Sequence, residues 1–135
     1  MDGHLRRIFR EHLRAGWDWQ SIETWGVGAG VPDGNFCSQG TEGWVEFKAC
    51  RGWRVPIDPT QVAWIERRCR AGGRVFVAVR KDQSLFLFPG LAARRLLEED
   101  FREVDRLGDW HGGPARWDWA AVGACLVYKA PQLVV

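Results

Sequence analysis

Leu5, Ile8, Phe9 and Leu13 recur at helical spacing, while Arg6, Arg10 and Arg14 stack at i, i+4, i+8 on another face. The pattern predicts an amphipathic helix from Leu5 to about Ala15, ended by Gly16. Gln20 to Trp25 fits either a short strand or a further helical turn, and Gly26, Gly28 and Gly30 then interrupt regular structure. From Val31 to Cys50 the pattern becomes that of a hairpin. The turn formers Ser38-Gln39-Gly40-Thr41-Glu42-Gly43 mark its tip, and Trp44–Ala49 forms the return strand. Arg51 to Ile57, holding Gly52 and Pro56, reads as a loop.

A second helix opens with Asp58 at the N-cap, Pro59 at the first helical position and Gln61 three residues after the cap. It turns Val62, Ile65 and Cys69 inward and stops at Gly72-Gly73. Val75–Val79 is a continuous apolar run between Arg74 and Arg80, the pattern of a strand buried on both faces. A tight turn at Lys81 to Ser84 leads to a strand at Leu85–Phe88, and Pro89-Gly90 precedes a helix from about Leu91 to Arg102. Beyond it, Gly112-Gly113-Pro114 is a loop, Trp117 to Ala121 a helical turn, and Cys125 to Lys129 a short strand. Trp17-Asp18-Trp19 recurs as Trp117-Asp118-Trp119, but the flanks differ and no duplication is inferred. The order of elements predicts an α/β fold with a mixed sheet flanked by helices.

With 135 residues, 46% hydrophobic and 27% charged, the chain is sized for one compact domain, 1–135. No apolar run approaches the roughly 20 residues of a membrane helix. Met1 to Arg7 leads into charge rather than an apolar core, so no secretory signal is expected and the cytoplasm is the expected compartment. Cys37, Cys50, Cys69 and Cys125 form no Cys-x-x-Cys pair, which argues against a zinc knuckle or redox motif. His4, His12 and His111 match no metalloprotease spacing. The net charge of +2 gives no strong overall field, but lysine occurs only at Lys48, Lys81 and Lys129 among 19 basic residues. The rest are arginine, the side chain suited to bidentate phosphate contacts. Arg6, Arg10, Arg14, Arg51, Arg54, Arg67, Arg68 and Arg70 are candidates for such contacts. Nine Trp should serve mainly as core or half-buried anchors, with one or two free to stack on bases.

Alternate residues of a strand share a face, so Glu46 and Lys48 point one way while Val45, Phe47 and Ala49 point the other. A hairpin pairing Asp33 with Glu46 has its midpoint between Gln39 and Gly40, inside the turn region. Two carboxylates and an ammonium therefore converge on one sheet face. Phosphodiester hydrolysis asks for that combination. Carboxylates hold Mg²⁺, which activates water and neutralises developing charge, and a lysine orients the water or stabilises a phosphate oxygen. An ordinary charged pair on a solvated face is the competing account. It sits poorly with a strand that is otherwise strongly apolar and with Asp33 following Pro32 in a glycine-rich approach.

Pro32-Asp33, twelve intervening residues and Glu46-Phe47-Lys48 resemble the PD-(D/E)XK nuclease superfamily. The chain is most similar to small phage-encoded nucleases and to VRR-Nuc and Holliday-junction-resolvase-like domains. Those carry an upstream acidic residue, a Gly-x-Pro-Asp, a Trp-hydrophobic-Glu-hydrophobic-Lys strand and a glutamine in the next helix. Here the counterparts are Glu23, Gly30-Val31-Pro32-Asp33, Trp44-Val45-Glu46-Phe47-Lys48 and Gln61. The resemblance covers about residues 22–88, and a C-terminal extension of about 103–135 gains little from it. It implies a restriction-endonuclease-like core and a metal-dependent DNA endonuclease active in phage or bacterial replication, recombination or repair. Asp33, Glu46 and the Phe47 carbonyl are the implied ligands of Mg²⁺, with Mn²⁺ as a substitute, and Lys48 is the implied base or stabiliser. Glu23 reads either as a third carboxylate or as a surface glutamate at a strand edge. Gln61 reads as the family's helix glutamine, as a capping-box partner of Asp58, or as both.

The expected partners are DNA and a second copy of the chain, since cutting both strands of a duplex is simplest with two sites. No membrane and no organic cofactor are expected. Two other classes of function compete: a silent nucleic-acid-binding module on the same fold, and a structural protein that uses its Trp residues to hold a partner. Neither explains charges gathered on a half-buried strand face.

Overall fold

The structure is a computed structural model that describes residues 3–23 and 30–128. Helix α1 (Gly3–His12) is followed by strands β1 (Trp17–Ser21), β2 (Gly34–Ser38) and β3 (Thr41–Cys50). Helix α2 (Pro59–Arg70) then crosses to β4 (Val75–Lys81) and β5 (Ser84–Pro89). Helix α3 (Ala93–Glu98), strand β6 (Gly108–Trp110) and helix α4 (Trp119–Val127) complete the order. The six strands form one sheet in the order β1-β2-β3-β4-β5-β6. Only β3 and β4 run parallel, joined by α2 as a parallel pair requires, and all other neighbours are antiparallel. The mixed α/β sheet expected from the sequence is the observed fold.

Each face of the sheet carries its own apolar layer. On one, Val75, Val77, Val79, Phe86 and Phe88 pack under Val62, Trp64 and Ile65 of α2, Leu96 of α3, and Phe101. On the other, Phe36, Val45, Phe47, Phe76, Ala78, Leu85 and Leu87 pack under Leu5, Ile8, Phe9 and Leu13 of α1 and Val122 and Leu126 of α4. The run Val75–Val79 is buried throughout because β4 lies inside the sheet with a layer on either side.

The β2–β3 connection is tighter than the six-residue tip expected. Ser38 already pairs with Thr41, leaving Gln39 (φ 53°) and Gly40 (φ 73°) as a two-residue turn with both φ positive. Asp58 caps α2 as expected. Its carboxylate accepts the Gln61 N–H (3.0 Å), and Gln61 Oε1 accepts the Asp58 N–H (3.1 Å).

One open alternative is resolved, and three expectations need correction. The ambiguous stretch from Gln20 is strand as far as Ser21, and that strand begins at Trp17; Trp25 lies outside the described residues. Helix α1 stops at His12, short of Ala15, and the Trp19 indole N–H serves the Leu13 carbonyl (2.8 Å). The single helix drawn from Leu91 to Arg102 is broken after Glu98. Asp100 instead caps a 3₁₀ turn that carries Phe101 fully into the core. The strand expected at Cys125 to Lys129 is helical through Val127, with Lys129 outside the described residues. Asp118 caps that helix by accepting the Ala121 N–H (3.0 Å), and Gly123 lets it pack closely on Leu13 and Trp17. Trp17-Asp18-Trp19 is therefore strand where Trp117-Asp118-Trp119 is a helix start.

Candidate active site

The β2–β3 ladder runs from Ser38↔Thr41 to Gly34↔Val45, which places Asp33 opposite Glu46 just where regular pairing ends. There the two carboxylates take over from the backbone ladder. Glu46 Oε1 accepts the Asp33 N–H (3.2 Å), and Asp33 Oδ2 accepts the Phe47 N–H (3.3 Å). The approach is set by Gly30, whose φ of +86° and contact with the backbone of α2 leave no room for a side chain: a Cβ there would collide with the Thr60 carbonyl. Gly30-Val31-Pro32 thus passes against the start of α2 and delivers Asp33 beside Gln61.

Gln61 completes the arrangement. Its oxygen holds the Asp58 N–H of the capping box while its Nε2 donates to Glu46 Oε2 at 2.9 Å. One amide serves both roles, so the helix start and the carboxylate are locked together. Lys48 Nζ lies 3.5 Å from the same Glu46 oxygen. The structure therefore brings Asp33, Glu46, Lys48 and Gln61 into one cluster. Phe47, between the two charged residues, turns its ring to the other face, 5.0 Å from the Phe9 ring.

The electrostatics follow from burial. Glu46 is 1% exposed and Lys48 5%. Burial, and then the neighbouring Asp33 carboxylate, push the Glu46 carboxyl from its ordinary value of 4.5 to about 8, with Lys48 opposing them in part. Among the described residues no buried side-chain polar atom lacks a hydrogen-bond partner, and a hydrogen bond to the Asp33 side chain also favours the protonated form of Glu46. Two neighbouring carboxyls, with burial and mutual repulsion holding Glu46 toward its neutral form until positive charge is supplied, form a hard-oxygen donor set that fits a divalent cation.

Glu23 is not brought into this cluster. It is exposed and directly follows Ile22, whose N–H donates to the Asp33 carbonyl (2.8 Å). No group of three acidic, His or Cys side chains able to hold a metal occurs among the described residues.

The arginine candidates separate by environment. Arg6, Arg10 and Arg14 line an open groove of about 610 Å³ between α1 and the edge strand β1, together with Arg7, Trp17 and Trp19. Arg10 also reaches Ser21 Oγ (3.1 Å). Arg51 is exposed just past β3, and Arg67 is exposed on α2. Arg54 is committed to the C-terminal carbonyls of α3, donating to Leu97 O (3.1 Å) and Glu98 O (3.3 Å). Arg68 lies over the Trp64 and Trp44 rings, 4.6 and 5.6 Å from their centroids. Lys81 had no functional role assigned from the sequence. It pairs with Cys50 on the next strand, two residues beyond Lys48, and this neighbourhood depends on the parallel β3–β4 register, which no local pattern reveals.

The fold is restriction-endonuclease-like. The chain resembles the solved structure of Archaeoglobus fulgidus Hjc, a Holliday junction resolvase from an archaeal hyperthermophile. The TM-score is 0.53 at 20% identity, and the match covers 64% of this chain and 74% of that one. No protein-family profile matches the chain, and no curated protein does. No helix among the described residues is long and apolar enough to cross a membrane.

Proposed function

We propose that the chain is a divalent-metal-dependent endonuclease that hydrolyses the phosphodiester backbone of DNA. The observation that carries this reading is the buried Glu46 carboxyl, held by Asp33, Gln61 and Lys48 on a strand face where an apolar residue would be expected. The likeness of fold to a Holliday junction resolvase supports it.

Asp33 and Glu46, with the Phe47 carbonyl, would hold Mg²⁺, or Mn²⁺ in its place. An ion held there would supply Lewis acidity and make water a stronger nucleophile near neutral pH. The chain's own residues do the rest. Gln61 fixes the Glu46 carboxylate by donating to Oε2, so that its other oxygen keeps a set direction. Lys48, tethered to the same carboxylate, presents an ammonium to the attacking water or to a non-bridging phosphate oxygen. The Phe47 N–H holds Asp33 Oδ2 and so fixes that carboxylate beside Glu46. A second copy of the chain would provide the second cut of a duplex, and light scattering with and without DNA tests that assembly.

The direct test is conversion of supercoiled plasmid to nicked and linear forms, with Mg²⁺ added or chelated, by wild type and Asp33→Ala. Cleavage that needs both the metal and Asp33 is expected. Salt-dependent DNA binding without any cleavage would replace this reading with a silent binding module.

A further inference from the structure

We infer that Trp53 is a stacking platform for an unpaired nucleobase beside the cut, so that the preferred substrate carries an unpaired nucleotide near the scissile phosphate. The inference rests on the nuclease reading for the position of the cut, but its binding test does not.

Trp53 is 39% exposed and is the only exposed tryptophan among the described residues. It is nevertheless held firmly. The Trp53 carbonyl accepts the Phe101 N–H (2.8 Å), and neighbouring Arg54 is bonded to two carbonyls at the end of α3. The indole rests against the Phe101 and Phe86 rings, at 5.2 and 6.5 Å between centroids. An aromatic ring fixed at the surface on an apolar base is pre-organised to receive another flat ring, because little side-chain freedom is lost on contact.

Cations gather at the ring. Lys81 Nζ lies over it, 4.5 Å from the Trp53 centroid, and the Arg102 guanidinium 5.8 Å from it. Each is shared with a neighbouring carboxylate, Lys81 with Asp82 (3.2 Å) and Arg102 with Asp100 (3.1 Å), so incoming phosphates would compete for them. Arg51 is exposed two residues earlier in the same loop. The other exposed large hydrophobics, Leu91, Leu107 and Tyr128, line a groove beside Val75 and Phe76, at the start of β4. Lys81 ends that strand, so Trp53 and this apolar groove lie at opposite ends of it.

The position also fits. Lys48, Val79 and Phe86 form one cross-strand row, and residues in register share a face. Phe86 supports the indole, and it stands two strands from Lys48, about 10 Å at the usual strand spacing. A DNA strand covers that distance in about three nucleotides at its stacked rise of about 3.4 Å. Paired bases have both faces covered by their neighbours. Only an unpaired one can lie on an indole, and it would take the place of the Lys81 ammonium over the ring, freeing that charge for its flanking phosphates.

The alternative is that the indole merely covers the core. Trp53→Leu keeps apolar cover and removes the stacking surface, and Trp53→Phe keeps a smaller ring. Binding is measured in Ca²⁺ to labelled continuous duplex and to the same duplex with a short unpaired stretch, with melting curves to confirm the fold. Trp53→Leu should weaken binding to the unpaired substrate about tenfold. It should leave continuous duplex unchanged, and Trp53→Phe should recover part of the loss. Replacing the unpaired nucleotides with abasic ones should cost wild type the same factor and cost Trp53→Leu nothing further, since the two changes remove one contact.

Undiminished binding of the unpaired substrate by Trp53→Leu, or equal losses on both DNAs, overturns the platform. Plasmid nicking by the same proteins separates the two readings. Base-dependent binding in a wild type that never cuts overturns the nuclease and leaves the platform standing. Metal-dependent cutting with no abasic effect does the reverse.

Discussion

Val45 and Phe47 on one face of β3 are buried as deeply as Glu46 and Lys48 on the other, at 0%, 0%, 1% and 5% exposure. The two faces use that burial differently. Phe47 meets Phe9 edge-on at 5.0 Å and joins a continuous apolar layer under α1 and α4. Glu46 and Lys48 lie on the α2 side, where the start of the helix offers an amide in place of a hydrocarbon. Burial on the first face strengthens packing. On the second it raises the energy of ionised groups and stores a demand for positive charge. One strand thus carries both an apolar anchor and a buried charged cluster, with a one-residue offset between them.

Substitutions on the charged face test the comparison with the largest expected effect. Glu46→Gln and Lys48→Ala should each lower the rate of DNA cleavage by about 100-fold or more, because they remove charge stabilisation needed most in the transition state. Binding in Ca²⁺ should change far less, and circular dichroism should show an intact fold. Cleavage within a few-fold of wild type for either variant would break the assignment.

The apolar face should respond in the opposite sense. Phe47→Ala removes a fully buried ring and should destabilise the protein by about 3–5 kcal/mol, read from urea unfolding. At temperatures where the variant stays folded its cleavage should fall much less than that of Glu46→Gln. A Phe47→Ala protein as stable as wild type would show that the second layer does not anchor β3.

A pH titration of metal-free protein sharpens the contrast. The Glu46 carboxyl sits near 8 in the folded protein against an ordinary 4.5, so between those values the folded state keeps a proton that the unfolded state has lost. Stability should therefore fall as pH rises from about 4.5 to about 8 and level off above, with the penalty absent in more acidic solution. Glu46→Gln should remove that slope, and Mg²⁺ should restore stability most at the alkaline end, where its ligands are ionised. An unchanged slope in Glu46→Gln would assign the titration to another group.

Much of this site was legible because it rests on local rules. Alternation along β3 put Glu46 and Lys48 on one face, and the turn at Gln39-Gly40 set the register that brings Asp33 opposite Glu46. Asp58, Pro59 and Gln61 announced the start of α2, although nothing local showed that the Gln61 amide also reaches Glu46. The C-terminal third was harder because tertiary packing overrides propensity there. Cys125-Leu126-Val127 has a strand-like composition, yet its helix is fixed from outside. Arg74 donates to the Leu126 carbonyl (2.9 Å), and the layer under α1 buries Leu126. Strand β6 is only three residues long and exists because β5 offers it an edge. Arg54 read as a phosphate contact for a related reason, since its role as an anchor for α3 depends on a contact 43 residues away.

Glu23 gives the smallest expected effect and the sharpest limit on the charged face. Ile22 donates its N–H to the Asp33 carbonyl, so continued extended geometry would turn the next side chain to the face opposite the one Ile22 occupies. Glu23 is exposed, and no third acidic group joins Asp33 and Glu46 among the described residues. A solvated carboxylate adds little to the repulsion between the buried Glu46 and the half-buried Asp33, because water screens it. Glu23→Gln should therefore leave metal-free stability within about 0.5 kcal/mol of wild type and plasmid nicking unchanged. A third carboxylate beside the metal predicts the opposite pair of results. Removing its charge would relieve repulsion and raise the metal-free melting temperature, while cleavage would fall about tenfold or more with the loss of a ligand. Melting curves with and without Mg²⁺, read beside nicking rates for the same two proteins, separate the outcomes. A rise in melting temperature coupled to a drop in rate would extend the charged face of β3 across to the end of β1.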